Sequence, residues 1–127
     1  MKITRITSWP VRFRLRQPYS IAYESMDSTV NVFLRVETNQ GIIGLGCAAP
    51  DLQVTGESEK TVLKAIEDIV QPALIRSDPL RRSLLLERLS VPLAAHSSAL
   101  AAVDMALHDI LGKCCGIPLW KILGGLR

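Results

Sequence analysis

Two aspartates and a histidine stand close together in the chain, at Asp104, His108 and Asp109. Carboxylates and imidazoles are common general acids and bases, so these residues are the first candidates for proton transfer. On a helix, however, side chains five positions apart lie about 140° round the axis from each other, so the two aspartates do not face one another. Structural roles are predicted instead: Asp109 pairs with Lys113 at i,i+4 spacing, and His108 lies at the surface or at an interface.

The sequence offers few candidates for a metal or redox site. Its three cysteines, Cys47, Cys114 and Cys115, form no CxxC pair, so reduced cysteines in the core are predicted. A disulfide between the adjacent Cys114 and Cys115 would be strained. His96 is predicted to lie in a loop, and a metal site shared by His96 and His108 stays open as an alternative.

Composition indicates one globular domain. The chain has 127 residues, 48% of them hydrophobic and 21% charged, which is enough apolar material for a core. The net charge is +3, and no basic cluster is interleaved with aromatic residues, so no nucleic-acid partner is predicted. No apolar run has membrane-spanning length and no secretory signal is found, so a cytoplasmic location without a membrane partner is predicted.

The candidate acids and His108 fall within a predicted helix over 97–115. Its apolar residues recur at helical spacing: Leu100, Val103, Leu107, Ile110, Leu111 and Cys114. Beside them runs a stripe of small residues: Ala99, Ala102 and Ala106. Small side chains allow another backbone to come close, so this helix is predicted to be buried on more than one side.

The ends of this helix have their own signals. Ser97 or Ser98 is predicted to cap the N-terminus, because a serine oxygen can accept an otherwise unpaired N–H of the first turn. Gly116 followed by Pro118 is predicted to end it. Gly112 costs about 1 kcal/mol relative to alanine within a helix, so a packing reason for it is expected.

Three strands are predicted before the helices, over 2–16, 31–38 and 42–47. In the first, arginines alternate with an apolar set that is predicted to form a buried face: Trp9, Val11, Phe13 and Leu15. The short connection that ends in Gly41 predicts a hairpin with a positive φ at that glycine. Gly44 and Gly46 are predicted to let another backbone approach the third strand.

Two loops and two more helices complete the prediction. The segment 17–28 lacks a sustained period and is predicted as a long ordered loop, which is often functional. A second loop, 51–56, leads through the acidic run 57–59 into a helix that Pro72 disturbs, and another helix is predicted to begin at Asp78. The predicted fold is α+β: a three-stranded antiparallel meander followed by a three-helix layer.

The helix and the segment after it carry a family resemblance. Small residues, two acids, Gly-Lys and then Pro-Leu recur over 99–113 and 116–125. This pattern resembles the mandelate racemase/muconate-lactonizing branch of the enolase superfamily, where it ends the N-terminal capping domain and leads into the catalytic barrel. The segment 44–50 resembles the third strand of that domain, although Cys47 stands where the family generally has glutamate. The segments 18–22 and 55–58 resemble the dipeptide-epimerase subgroup.

The resemblance implies that the chemistry lies outside this chain. The superfamily uses a lysine or histidine base with Mg²⁺ that stabilises an enediolate. In this branch a Lys-x-Lys pair, three metal-binding carboxylates and a second lysine sit on the barrel. This chain contains no Lys-x-Lys, so no catalytic residue and no metal ligand are expected in it. Magnesium is expected as the cofactor of the full-length enzyme only.

The resemblance also implies that the two loops cover the mouth of the barrel and contact the distal part of the substrate. The residues expected to do so are Tyr19, Ile21, Tyr23, Glu24, Met26, Asp51 and Val54. Tyr23 stands where epimerases that favour an acidic second residue tend to carry arginine. A tyrosine cannot pair bidentately with a carboxylate, which argues against an Ala-Glu preference. Glu24 is either a contact for a cationic side chain or a solvated loop residue.

We therefore expect residues 1–115 to be an enolase-like capping domain and residues 116–127 a linker towards a barrel that this chain lacks. The leading hypothesis is the cap of a dipeptide epimerase, inactive as this fragment, with the barrel and a carboxylate or dipeptide substrate as its partners. The alternatives are the cap of a muconate cycloisomerase-like enzyme or of an acid-sugar dehydratase, and a stand-alone interaction module. Self-association is also expected, because apolar residues of the cap would lie bare without the barrel. These residues are the alanine stripe, Phe33 on the outer face of the second strand, and Ile117, Leu119, Trp120, Ile122 and Leu123 after the helix.

Overall fold

The computed structural model describes residues 1–21 and 24–125, and within them a sheet is followed by a layer of helices. The strands are β1 (Ile3–Ile21), β2 (Glu24–Thr38) and β3 (Ile43–Ala48). They pair antiparallel in the order β1-β2-β3. The helices are α1 (Glu59–Ala65), α2 (Gln71–Leu74), α3 (Arg82–Ser90), α4 (Ser97–Cys115) and α5 (Leu119–Ile122). The predicted α+β meander is confirmed.

Proline explains the irregular helix after β3. A π-helical segment, Ile66–Val70, joins α1 to α2, so the two run on as one helix that contains Pro72. Proline has no N–H to donate, and its ring crowds the carbonyl four residues before it. A wider π turn accommodates both effects, so the helix continues past the proline to Leu74.

The core lies between the inner face of the sheet and the helices. Val32, Leu34 and Val36 of β2 are fully buried there, as the alternation over 31–38 predicts. On β1 the buried residues are Ile3 and Ile6. They share a face despite their opposite parity because the register shifts between Ile3 and Arg5.

The shift in register reverses the predicted orientation of β1. Trp9 and Phe13 lie on the outer face of the sheet, each 40% exposed, where both rings contact Phe33, with centroids 6.0 and 6.1 Å away. The prediction that Trp9, Val11, Phe13 and Leu15 form the buried face was therefore wrong. A one-residue bulge moves every later side chain of a strand to the other face.

Helix α4 packs on β3 at backbone distance. A Cβ atom on Gly46 would lie 1.9 Å from the carbonyl oxygen of Ala102, and one on Gly44 would lie 2.2 Å from that of Ala106. Both alanines are fully buried. The predicted close approach of a backbone to the glycines of β3 and to the alanine stripe is confirmed, and the structure shows that the two approach each other.

The two ends of α4 differ in how well the sequence predicts them. Gly116 takes the left-handed conformation, with φ 64°, and its N–H closes the helix. At the other end the N-cap position belongs to His96, whose side chain makes no capping bond, while Ser97 and Ser98 lie inside the first turn. The prediction of a serine N-cap was wrong. The N–H of Ser98, in the first turn, donates instead to a side chain from another part of the sequence.

Candidate functional site

The segment 17–28 is predicted as a long ordered loop, but its described residues, 17–21 and 24–28, belong instead to β1 and β2. Arg14 pairs with Ser28, and after a shift in register Tyr19 pairs with Met26. The prediction was wrong because the shift interrupts the two-residue alternation by which a strand is recognised in a sequence. The hairpin therefore extends as a two-stranded ribbon beyond β3, which pairs with β2 only between Val32 and Glu37.

Most of the predicted contact residues lie on this ribbon. The backbones of Tyr19, Ile21, Glu24 and Met26 belong to its two strands. Their side chains, and the whole of Tyr23, lie outside the described part of the structure. Their contacts with a substrate therefore remain predictions.

The other two predicted contact residues, Asp51 and Val54, belong to a tightly closed turn. Oδ1 of Asp51 accepts the N–H groups of Gln53 and Val54, at 2.8 and 3.0 Å. The Asp51 carbonyl accepts both the N–H and the hydroxyl of Thr55, each at 2.9 Å. This leaves the apolar side chains of Leu52 and Val54 69% and 79% exposed at the tip. Asp51 shapes the loop, and Val54 is free to contact another molecule.

An open cleft of about 640 Å³ separates this loop from the ribbon. Arg12 and residues 28–30 line its ribbon side, and residues 50–53 and 57–60 line the other. Among the described lining residues, those of the loop and Ser28 belong to the segments that the sequence predicts to contact substrate, and Arg12, Thr29 and Val30 lie next to them. The lining of the cleft holds both charge signs, with Arg12 and Lys60 opposed by Asp51 and Glu59.

Glu57, directly after the loop, was missed as an important residue. It is 1% exposed, and its carboxylate accepts the Ser98 N–H at 3.0 Å, the Ser98 hydroxyl at 2.5 Å and the Ser97 hydroxyl at 3.3 Å. Glu57 thereby caps the first turn of α4, whereas Ser58 caps α1 through a capping box with Thr61. No local pattern in the sequence predicts the contact between Glu57 and α4, since Glu57 and Ser98 are 41 positions apart.

The candidate proton-transfer residues have structural partners. Asp104 lies 3.1 Å from both Nη1 of Arg82 and Nδ1 of His108. Asp109 accepts from Nζ of Lys113 at 2.7 Å, which confirms the predicted ion pair. Within residues 1–21 and 24–125, no group of three His, Cys, Asp or Glu side chains could hold a metal ion.

The cysteines and the helices add no further site. All three cysteines are free, and burial raises the pKa of the Cys114 thiol, which favours its neutral form. Across the described residues, no helix has the length and apolar character needed to cross a membrane.

Comparison with known proteins gives a consistent result. The sequence model of the family described as mandelate racemase / muconate lactonizing enzyme, N-terminal domain, matches residues 3–124. An L-Lys-D/L-Arg epimerase of Desulforapulum autotrophicum is 41% identical over 98% of this chain, which corresponds to 35% of that enzyme. The chain thus spans about a third of the length of the curated relatives it matches.

Solved structures show the same relationship. A dipeptide epimerase from Methylococcus capsulatus, complexed with Mg and the dipeptide L-Arg-D-Lys, superposes with a TM-score of 0.90 at 37% identity, over 98% of this chain and 35% of that one. A substrate-liganded L-Ala-D/L-Glu epimerase from Bacillus subtilis superposes with a TM-score of 0.93 at 34% identity, over 100% of this chain and 35% of that one.

Proposed function

Because this chain belongs to the mandelate racemase/muconate lactonizing enzyme N-terminal domain family, we propose that it is the substrate-capping domain of a cytoplasmic, magnesium-dependent dipeptide epimerase. Residues 1–115 form the cap and residues 116–127 the linker to a catalytic barrel. The whole enzyme would remove and return an α-proton by way of an enediolate. The observation that carries this proposal is the match of 98% of the chain, at 41% identity, to 35% of a Lys/Arg epimerase.

The described residues of this chain do not suit the chemical step. The carboxylates of Glu57, Asp104 and Asp109 are each engaged by serines or by basic side chains. Within the described ranges no cluster of ligands suits magnesium. We therefore assign the metal and the base to the barrel, and propose that this chain alone is inactive.

The contribution of this chain is to enclose and position the substrate. In this proposal the ribbon end and the loop 51–56 close over the mouth of the barrel and so exclude water from the site. Exclusion of water strengthens the electrostatic interactions inside a site. Contacts to the part of a dipeptide that does not react would lower KM without changing kcat. The residues proposed for this role are Tyr19, Ile21, Tyr23, Glu24, Met26, Asp51 and Val54.

For the substrate class we propose dipeptides with a cationic side chain. Two features of the sequence support this: Tyr23 cannot pair bidentately with a carboxylate, and Glu24 adds a negative charge to the ribbon. The relative at 41% identity is an L-Lys-D/L-Arg epimerase, which agrees with that charge.

A chimera tests the proposed function. This chain would replace the N-terminal 35% of the Desulforapulum autotrophicum epimerase, and α-proton exchange would be followed by NMR in D₂O with Mg²⁺ and a dipeptide panel. We expect exchange with Lys- and Arg-containing dipeptides. Glu24→Gln should raise KM for cationic dipeptides and leave neutral ones unchanged, and Glu87→Gln, far along the chain on α3, serves as the matched control.

Three outcomes would contradict the proposal. A folded chimera that exchanges no dipeptide proton would exclude an epimerase cap. Preference for Ala-Glu would contradict the cationic substrate class. Exchange by this chain alone that survives repurification would show a catalytic site within it.

We also propose that the chain without a barrel associates with itself. The apolar surface that supports this proposal is described with its test in the Discussion.

A further inference from the structure

We propose that Glu57 is a positioning residue that fixes the loop 51–56 on the first turn of α4, and so sets where the tip of the loop meets a substrate. The contact with substrate rests on the proposed function. The anchoring itself rests on the structure alone.

The loop behaves as one compact unit. The bonds from Gln53, Val54 and Thr55 to Asp51 close it internally. Its tip residues Leu52 and Val54 are exposed, and the cleft of about 640 Å³ separates it from the ribbon. Packing against the ribbon therefore does not hold the tip in place, and its position depends on how its two ends are held.

Both ends of the loop lie beside one serine of α4, and Glu57 supplies the hydrogen bonds that hold the loop there. After the loop, Glu57 accepts from the N–H and the hydroxyl of Ser98. Before the loop, the carbonyl of Ala49 lies 3.4 Å from the same hydroxyl oxygen. A buried carboxylate that accepts several hydrogen bonds is held more strongly than a neutral group would be. Glu57 thus joins the loop to the most buried helix of the fold.

A matched pair of variants isolates this role. Glu57→Gln keeps the shape of the side chain and removes its charge. Glu87→Gln removes the same charge from an exposed position on α3, away from the cleft. Ser98→Ala removes the hydroxyl that faces both ends of the loop, and provides a second variant if Glu57→Gln folds poorly.

Backbone dynamics test the anchoring on this chain without any enzyme activity. For the amides of Gln53 and Val54 we expect NMR order parameters near the rigid value of about 0.85 in the wild type and in Glu87→Gln. In Glu57→Gln and Ser98→Ala we expect them to fall towards about 0.6. Unchanged order parameters in both variants would overturn the proposal.

Kinetics in the chimera test the consequence for substrate. Glu57→Gln should raise KM for the dipeptide about tenfold and leave kcat within about twofold, because a contact to the unreactive part of the substrate is lost. Equal KM values for Glu57→Gln and Glu87→Gln would overturn the role in positioning. If the wild-type chimera is inactive, the proposed function fails, and the order parameters still decide whether Glu57 anchors the loop.

Discussion

At the scale of single residues, burial and hydrogen bonding oppose each other at Glu57. Burial alone would raise the pKa of its carboxyl, because a charge loses its hydration. Hydrogen bonds from the Ser98 side chain and backbone, and from Thr55 and Ser97, favour the ionised form and outweigh burial, so the pKa lies below its ordinary value. The ionised carboxylate therefore stabilises the folded chain.

This balance predicts a pH-dependent difference between the wild type and Glu57→Gln. At pH 7 the variant should lose about 1–3 kcal/mol of unfolding free energy, as expected for buried hydrogen bonds to a charged group. Because the folded pKa is lowered, this stabilisation is present above the unfolded pKa near 4.5 and is lost as the pH falls through the folded value. Urea denaturation followed by circular dichroism at several pH values would measure it. A constant difference down to pH 3 would contradict this mechanism.

Gly46→Ala and Gly41→Ala each add a single methyl group, and we expect Gly46→Ala to lower the free energy of unfolding more. Gly46→Ala would place Cβ against the backbone of Ala102, and the strand and helix would have to separate, at a cost of about 3 kcal/mol. Gly41 has φ 76° and open space around it, so Gly41→Ala should cost only about 1 kcal/mol, through backbone strain. Chemical denaturation of both variants would compare the two, and equal losses would refute the close packing of α4 on β3.

At the scale of elements, α4 protects the free edge of the sheet. Strand β3 pairs with β2 on one side only. On its other side the N–H of Leu45 donates to Asp109 at 2.9 Å, and the carbonyl of Ile43 accepts from Lys113 at 2.7 Å. Unpaired strand edges invite pairing with other chains. The Asp109–Lys113 pair satisfies part of this edge with side chains from the helix.

The edge contact predicts that Asp109→Asn is more harmful than an ordinary loss of an ion pair. The substitution weakens the bonds to both Leu45 and Lys113, so we expect a loss of about 1–2 kcal/mol in unfolding free energy. Asp68→Asn is the control, because Asp68 forms an exposed i,i+4 pair with Lys64, and solvent and salt screen such a pair so that its loss has little effect. Equal losses in thermal or urea unfolding would show that the strand contact adds nothing.

At the scale of the whole molecule, the exposed apolar surface differs from the one the sequence predicts. The alanine stripe of α4 was expected to lie bare without a barrel, and this was wrong, because Ala99, Ala102 and Ala106 are fully buried in the fold. Of the tail residues that were predicted to be exposed, Ile117, Trp120 and Leu123 are exposed, and on the outer face of the sheet Trp9, Phe13 and Leu45 are exposed as well. The tail is held to its own chain by the Ile117 N–H, which donates to the Gly112 carbonyl at 3.0 Å.

The packing reason that was expected for a glycine at position 112, within a helix, is found in the structure. A Cβ atom there would lie 3.1 Å from the carbonyl oxygen of Ile117. The tail therefore folds back on the end of α4, and exchange of tails between copies would first have to detach it.

We expect the chain on its own to self-associate, because large contiguous apolar patches are rarely left exposed on monomers. Light scattering over a dilution series would show a mass that rises with concentration. Deletion of the residues after Gly116 should weaken association if the tails mediate it, and Trp9→Ser should weaken it if the outer sheet face does. A constant mass of 14.0 kDa at high concentration would refute self-association.

The sequence by itself determined the order and type of the main elements. The meander, the length of α4, its end at Gly116 and the presence of closely approached glycines and alanines all follow from local periodicity and from small side chains. Residues that are close together in the sequence form these patterns, so the patterns can be recognised without knowledge of the fold. The resemblance to a capping domain could be recognised for the same reason, since its motifs are short stretches of consecutive residues.

Tertiary structure decided which groups meet across the chain. One bulge after Ile3 turned the aromatic face of β1 outward, because strand faces alternate at every residue. The first turn of α4 is capped by Glu57, and Asp109 reaches the edge of β3, 64 positions away from Leu45. A side-chain hydrogen bond depends on distances of tenths of an ångström between distant segments, and only packing sets those distances.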